Sequence, residues 1–318
     1  MSSERLPGPL TLTDGGMETA LHFHQGVDLP CFAAFPLVET EEGRESLRAY
    51  FRPYLDLARD RGLPFVLDAP TWRANADWGD ELGYDAGALA AVNRRAVEFV
   101  DELRREAVRA GGPPIVTEAL VGPRGDGYAP GRMMSAREAE EYHAPQLRAF
   151  ADAAADQVAA MTIAHADEAV GIVRAARAVR LPVTVGFTLE TDGRLPSGQP
   201  LAAAVEQVDR ETDGAAERFM LNCAHPAHFA GVLAAGGAWR DRIGAVRANA
   251  SMLSHAELDE AAELDEGDPD DLAVRYLALR DLLPSLEVVG GCCGTDIRHV
   301  TAICDAWLAR PSSTLPRR

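Results

Sequence analysis

Eight times along the chain a short apolar run gives way to a polar or glycine-containing loop and then to a longer stretch with helical spacing. This alternation constrains the fold more than any other feature. The apolar runs cover residues 10–13, 64–67, 114–117, 157–162, 182–189, 218–223, 243–249 and 286–291, and each reads as a buried strand. Helical spacing covers 41–61, 85–110, 136–155, 166–179, 202–208, 226–235, 270–283 and 296–308. Regular exchange of strand and helix predicts a parallel sheet. Eight repeats within 318 residues predict one closed (β/α)8 barrel, a TIM barrel, spanning residues 1–318. A doubly wound open sheet is the competing arrangement, but no G-x-G-x-x-G follows the first strand. Residues 257–271 are acidic and expected to be solvated, and the proline-containing tail 311–318 is expected to fray.

Charge and composition narrow the function. A hydrophobic share of 47% is enough for a full core, and a formal net charge of -18 argues against nucleic acid or an anionic membrane as partner. No apolar run approaches the length of a membrane span, and no basic segment followed by an apolar run opens the chain, so a cytoplasmic protein is expected. Five cysteines, an odd number, suit reduced thiols better than a disulfide framework. The basic residues are all arginine. Without a lysine amine, Schiff-base chemistry and pyridoxal-phosphate attachment are excluded.

In a (β/α)8 barrel the active site is built at the C-terminal ends of the strands. Asp14, Thr71, Glu118, Cys223 and the pair Cys292 and Cys293 all fall at predicted strand ends. The adjacent cysteines sit in Gly290-Gly291-Cys292-Cys293-Gly294-Thr295. Successive residues of a strand point to opposite faces, so the backbone must bend if both sulfurs are to reach one ion, and glycines permit such a bend. With Cys223 they would offer three thiolates from nearby strands. Three sulfurs suit zinc, which prefers tetrahedral sites, and three protein ligands leave one position open for a reactant. Buried structural cysteines are the other reading that spacing alone permits.

The Gly290 to Thr295 turn, the Asn222-Cys223 strand end and the opening Asp14-Gly15-Gly16-Met17 together resemble the homocysteine S-methyltransferase family, over nearly the whole chain. The resemblance implies a zinc-dependent barrel that moves a methyl group from a small cationic donor, such as S-methylmethionine, betaine or S-adenosylmethionine, to homocysteine, giving methionine. It implies Cys223, Cys292 and Cys293 as zinc ligands. Asp14 with the amides around Gly15 and Gly16 would hold the amino-acid end of the thiol, Thr71 its carboxylate, and Glu118 an ammonium group. Structural readings stand beside these: Asp14 as a loop cap, and Glu118 as the partner of an arginine such as Arg124.

One departure stands out. The family usually carries a glutamate at the end of the fourth strand to bind the substrate amino group, and here Met161 takes that place. A thioether is a weak acceptor for an ammonium. Either another carboxylate substitutes, Glu118 and Glu190 being candidates, or the acceptor is a different small thiol. A barrel that binds zinc or thiol without catalysis is the alternative from another class. Trp72, Trp78, Tyr84 and Tyr128 are expected near the mouth, where aromatic faces could hold a cationic donor or simply pack. His225 is expected to cap the next helix, Cys304 to lie in the core and Cys31 in an early loop. The number of copies in an assembly is left open.

Overall fold

Strand β1 (Thr11–Leu12), β2 (Phe65–Ala69), β3 (Ile115–Val121), β4 (Gln157–Ile163), β5 (Val183–Phe187), β6 (Arg218–Asn222), β7 (Ile243–Ala248) and β8 (Val288–Gly291) pair in parallel and in sequence order, and β8 returns to β1. This closed barrel is the predicted one. The computed structural model describes residues 10–128, 130–259 and 263–309. The tail 311–318 and part of the acidic stretch 257–271 lie outside them.

The strands are nearly continuous runs of buried residues because both faces are covered. Outward-facing side chains such as Phe65, Leu67, Phe187 and Phe219 join the apolar layer shared with the helices. Inward-facing ones alternate with them. Val66, Leu120, Ala159, Met161, Met220, Ala245 and Val288 form a separate cluster inside the barrel. Asp68, Glu118 and Arg247 continue the same inward rows, since Asp68 pairs with Glu118 and Arg247 with Gly290 in the strand register.

Local sequence sets the helix boundaries. Thr40 caps Glu41–Arg61 by accepting from the Gly43 amide at 3.0 Å, and Ser135 with Glu138 forms a reciprocal capping box at the head of Ala136–Asp152. Between β1 and the first long helix lie short pieces, Met17–Thr19, Ala20–His24, Pro30–Phe32 and Phe35–Glu39, which residue periodicity is too short to reveal. Strand β3 runs four residues beyond the expected Thr117, because Ala119, Leu120 and Val121 continue its apolar pattern. Glu118 therefore sits within a strand, inside the barrel, and not on a loop. Among the described residues no helix is long and apolar enough to cross a membrane.

A buried carboxylate joins three of these elements. Glu168, on helix Ala166–Ala178, accepts from the Arg124 amide at 2.7 Å and lies 3.0 Å from Nε2 of His143 and 3.4 Å from Nε2 of His165. Burial alone would raise its pKa, but the hydrogen bonds from His143 and His165, with the Arg124 amide, outweigh it and bring the pKa from 4.5 down to about 2. A depressed carboxylate pKa contributes stability that is complete above the unfolded value and is lost as pH falls through the folded one. The contribution is roughly 3 kcal/mol from the size of the shift. Glu168→Gln should therefore lower unfolding free energy at neutral pH, and the gap from wild type should close between pH 4.5 and 2 in urea titrations.

Candidate functional site

The three cysteines come together at the C-terminal mouth. Cys223 follows the last residue of β6 with φ 55°, a left-handed conformation that costs a non-glycine residue energy and turns its sulfur into the barrel mouth. Cys292 and Cys293 follow β8. The sulfurs of all three lie within 4.8 Å of one another, with 3.5 Å between Cys223 and Cys293. Strand β7 lies between the two ligand-bearing strands and fixes both by main-chain bonds. The Cys223 amide donates to the Arg247 carbonyl at 3.1 Å, the Cys292 amide to the Ala248 carbonyl at 2.9 Å, and the Ala250 amide to the Cys293 carbonyl at 3.1 Å.

The expected bend falls on Gly294, whose φ is 76°, while the paired glycines before the cysteines serve another purpose. Neither Gly290 nor Gly291 has a positive φ. Instead a Cβ on Gly290 would stand 2.1 Å from Thr13 Oγ1, and one on Gly291 1.9 Å from Thr295 Oγ1. They are glycines because β8 and the turn after it pack directly on β1 and on the following loop.

The three thiols shift one another's acidity in opposite directions. Hydrogen bonds from Cys223 and Cys293, aided by the Arg247 guanidinium, hold the Cys292 thiol well below its ordinary range. Those same bonds push Cys223 and Cys293 up. The Tyr128 hydroxyl lies 2.7 Å from Cys223 Sγ, and the Tyr128 ring stacks on His255 with centroids 4.0 Å apart. His255 Nε2 in turn reaches the Cys223 carbonyl at 2.8 Å.

Below the cysteines a buried arginine organises three acids. Arg247 bonds Asp14 and Asp68 through its two terminal nitrogens and the Gly291 carbonyl through Nε at 3.1 Å. Asp14 also accepts from the Tyr50 hydroxyl at 3.0 Å, so both of its oxygens are engaged. Burial pushes Asp14 up to about 8 against the pull of Arg247. Burial and then the charge of Asp68 push Glu118 up to about 8 as well. One cation among three carboxyls leaves protons on this layer at neutral pH.

A cavity of about 410 Å³ opens above, walled by the three cysteines together with Met17, Leu120, Trp72 and Met161. Asp14, Gly15 and Gly16 reach it, as their place at a strand end suggests. Thr71 and Glu118 do not. The Thr71 hydroxyl is fully buried, donating to the Leu120 carbonyl at 2.8 Å and accepting from its amide at 2.9 Å. Glu118 bonds the Gln157 amide group at 2.5 Å inside the barrel, and Arg124 pairs with Asp77 rather than with it. Glu190 is also off the cavity wall, 3.2 Å from His255 Nδ1.

Of the four aromatics expected at the mouth, Trp72 and Tyr128 line the cavity, while Trp78 and Tyr84 do not. Arg73 stacks over Trp72 and Trp78 at 5.1 and 4.2 Å, and Tyr84 packs edge-on against Phe35. His225 caps helix Pro226–Ala234 through the Ala227 amide, as expected, and burial lowers its pKa to about 4. Cys304 is buried in the core and Cys31 half-buried. The described part of the acidic stretch is largely exposed, yet Glu263, Leu264 and Asp265 also close one side of the cavity. Several cavity-wall charges escaped the sequence reading, Asp68, Asp126 and Arg247 as well as Glu18 and Arg73. For Glu18 and Arg73, nearness in sequence to Gly16 and Trp72 was the signal available.

Fold and mouth define a (β/α)8 barrel whose strand ends gather three thiols beside an apolar cavity. The chain belongs to the homocysteine S-methyltransferase family, whose profile matches residues 11–307, and it is a methyltransferase. Among solved structures, the homocysteine methyltransferase MmuM from Escherichia coli is similar in its metallated form, with 21% identity over 93% of this chain and 96% of that one and a TM-score of 0.71. Its oxidized form gives 20% identity over 94% and 96%, with a TM-score of 0.73. An adenine deaminase from Arthrobacter aurescens, 13% identical over 95% of this chain and 88% of that one, reaches only 0.51. At these identities structural likeness speaks to the fold alone. No curated protein sequence matches the chain.

Proposed function

We propose that this methyltransferase transfers a methyl group from a small cationic donor to the sulfur of homocysteine, using zinc held by Cys223, Cys292 and Cys293. The observation that carries the reading is the convergence of three sulfurs on one cavity in a chain of this family. The donor set fits the metal. Thiolates are soft ligands suited to zinc, and sulfurs at a tetrahedral Zn–S distance of about 2.3 Å stand about 3.8 Å apart. The cluster already has that scale.

Zinc would supply the deprotonation of an incoming thiol at neutral pH, since coordination favours the thiolate. The rest falls to the chain. Asp14, Arg247 and Tyr50 form a fixed polar floor beneath the cluster. Met17, Leu120 and Met161 keep the reacting zone apolar, where a thiolate meets a cationic methyl carrier with little competing water. The acceptor sulfur displaces the carrier in line: a new S–CH3 bond forms, the bond to the sulfonium or ammonium departs with its electron pair, and the carrier leaves neutral. Positioning of the two substrates then accounts for most of the acceleration.

S-methylmethionine, betaine and S-adenosylmethionine are the donors that this chemistry accommodates. Assays of the zinc-loaded protein with each donor, and with homocysteine beside a panel of other small thiols, should yield methionine from at least one of the three. Methylation of another thiol with no methionine from any donor would shift the acceptor, the outcome to which Met161 points.

A further inference from the structure

The reading above leaves the amino-acid end of the acceptor without its usual carboxylate, because Met161 stands on the cavity wall at the end of β4. The other acids on that wall are already committed. Asp14 and Asp68 share Arg247, and Asp265 accepts from the Ser251 hydroxyl at 2.6 Å. Asp126 accepts from the Tyr128 amide at 2.7 Å, and Glu263 is exposed at the outer edge. Glu18 is different. It lies on the short helical turn Met17–Thr19, half-buried, with its open side on the cavity. Among the described residues its carboxylate makes no ion pair, and its one hydrogen bond is to its own backbone. It shares this cavity wall with all three sulfurs.

Arg73 is the matching cation. It follows Trp72 in the loop after β2 and lines the same cavity. One terminal nitrogen donates to the Cys31 carbonyl, and the guanidinium plane is stacked over Trp72 and Trp78 at 5.1 and 4.2 Å. These contacts fix its position while leaving further N–H groups for a ligand, and among the described residues it makes no ion pair. Glu18 and Arg73 sense each other's charge without a direct bridge between them. Two opposite charges, unpaired among the described residues, on one largely apolar cavity that also holds the thiol cluster are complementary to a zwitterion bearing a sulfur.

We infer that Glu18 and Arg73 form a clamp for the α-amino acid group of the acceptor, Glu18 taking the ammonium and Arg73 the carboxylate, while the acceptor sulfur lies at Cys223, Cys292 and Cys293; this rests on homocysteine being the acceptor. A carboxylate crowded by burial and a nearby thiolate gains from an arriving ammonium. The planar guanidinium presents paired N–H groups that suit a carboxylate. Glu18, supplied by the turn after β1, thus replaces the carboxylate that Met161 displaced from β4.

The test uses the full zinc-loaded chain with homocysteine, with 4-mercaptobutanoate, which lacks the ammonium, and with 3-mercaptopropylamine, which lacks the carboxylate, at saturating concentration of whichever donor supports the highest rate. Glu18→Gln should raise KM for homocysteine and 3-mercaptopropylamine about 10- to 100-fold, the weight of a charge-assisted hydrogen bond. Its kcat/KM on 4-mercaptobutanoate should stay within about twofold of wild type, which also certifies the variant as folded and loaded. Arg73→Gln should show the mirror pattern, losing homocysteine and 4-mercaptobutanoate but sparing 3-mercaptopropylamine. Unchanged KM values, equal losses on all three thiols, or a change confined to the donor KM would overturn the clamp. Wild-type protein that methylates none of its homocysteine would instead reject the acceptor assignment and the clamp with it, whereas active wild type with an unaltered Glu18→Gln variant rejects the clamp alone.

Discussion

Purified Cys292→Ala protein is expected to hold only trace zinc, against about one ion per chain in wild type, and to lose methyl transfer by a factor of about 1,000 or more. Hydrogen bonds from Cys223 and Cys293, with the Arg247 guanidinium, favour the thiolate form of Cys292, the form that binds a metal. Removing it leaves two sulfurs where three converge, a metal site short of a ligand. Elemental analysis after dialysis reads the metal, and the activity assay reads the consequence. Zinc retained at wild-type stoichiometry would reject the three-cysteine site. Cys304→Ala is the control, since its sulfur lies in the core on helix Ile297–Ala309, away from the cluster, and its zinc content should be unchanged.

The second large effect concerns the barrel interior. Arg247→Met is expected to destabilise the fold by about 3–5 kcal/mol, the range for removing one partner of a buried ion pair. Arg247 is 4% exposed and both of its carboxylate partners 1%, so neither partner can turn to water when the cation is gone. Restoring neutrality with Asp14→Asn and Asp68→Asn in the same chain should recover most of the loss. Urea midpoints measure both steps, and a triple variant no more stable than Arg247→Met would show that shape rather than charge is what Arg247 provides. The sign of the pH dependence follows from the raised carboxyls. Asp14 titrates near 8 in the fold and near 3.8 when unfolded, so between those values the folded state holds a proton that the unfolded state has released. Stability from this group is present at low pH and lost as pH rises toward 8. Arg247→Met removes the one cation that lowers Asp14, so it should extend that decline to higher pH.

The barrel itself was legible because eight apolar runs of strand length alternate with helical spacing, and burial on both faces of a parallel sheet makes each strand a recognisable apolar run. Cys223, Cys292 and Cys293 were legible for the same reason: once the strands are placed, their ends share one mouth. What escaped was the facing of individual side chains. Glu118 read as a loop residue because the third run was cut at Thr117, and a strand four residues longer turns it into the barrel. Thr71 sits at the expected strand end, but its hydroxyl closes a main-chain gap at Leu120. Arg247 looked like an ordinary residue within an apolar run, since its partners Asp14 and Asp68 lie far away in sequence. Glu18 was hidden by its position one turn beyond the strand, where neither alternation nor helical period applies.

Strand β7 contributes no sulfur, yet its main chain holds Cys223 on one side and Cys292 on the other. The distance between the metal-binding strands is therefore gauged by peptide geometry, which no side-chain substitution on β7 alters. Arg247, projecting inward from the same strand, acts on the charge around Cys292 through its side chain instead. One strand thus serves the sulfur site in two ways, its peptide groups as a caliper that spaces the ligands and its arginine as the charge that tunes them.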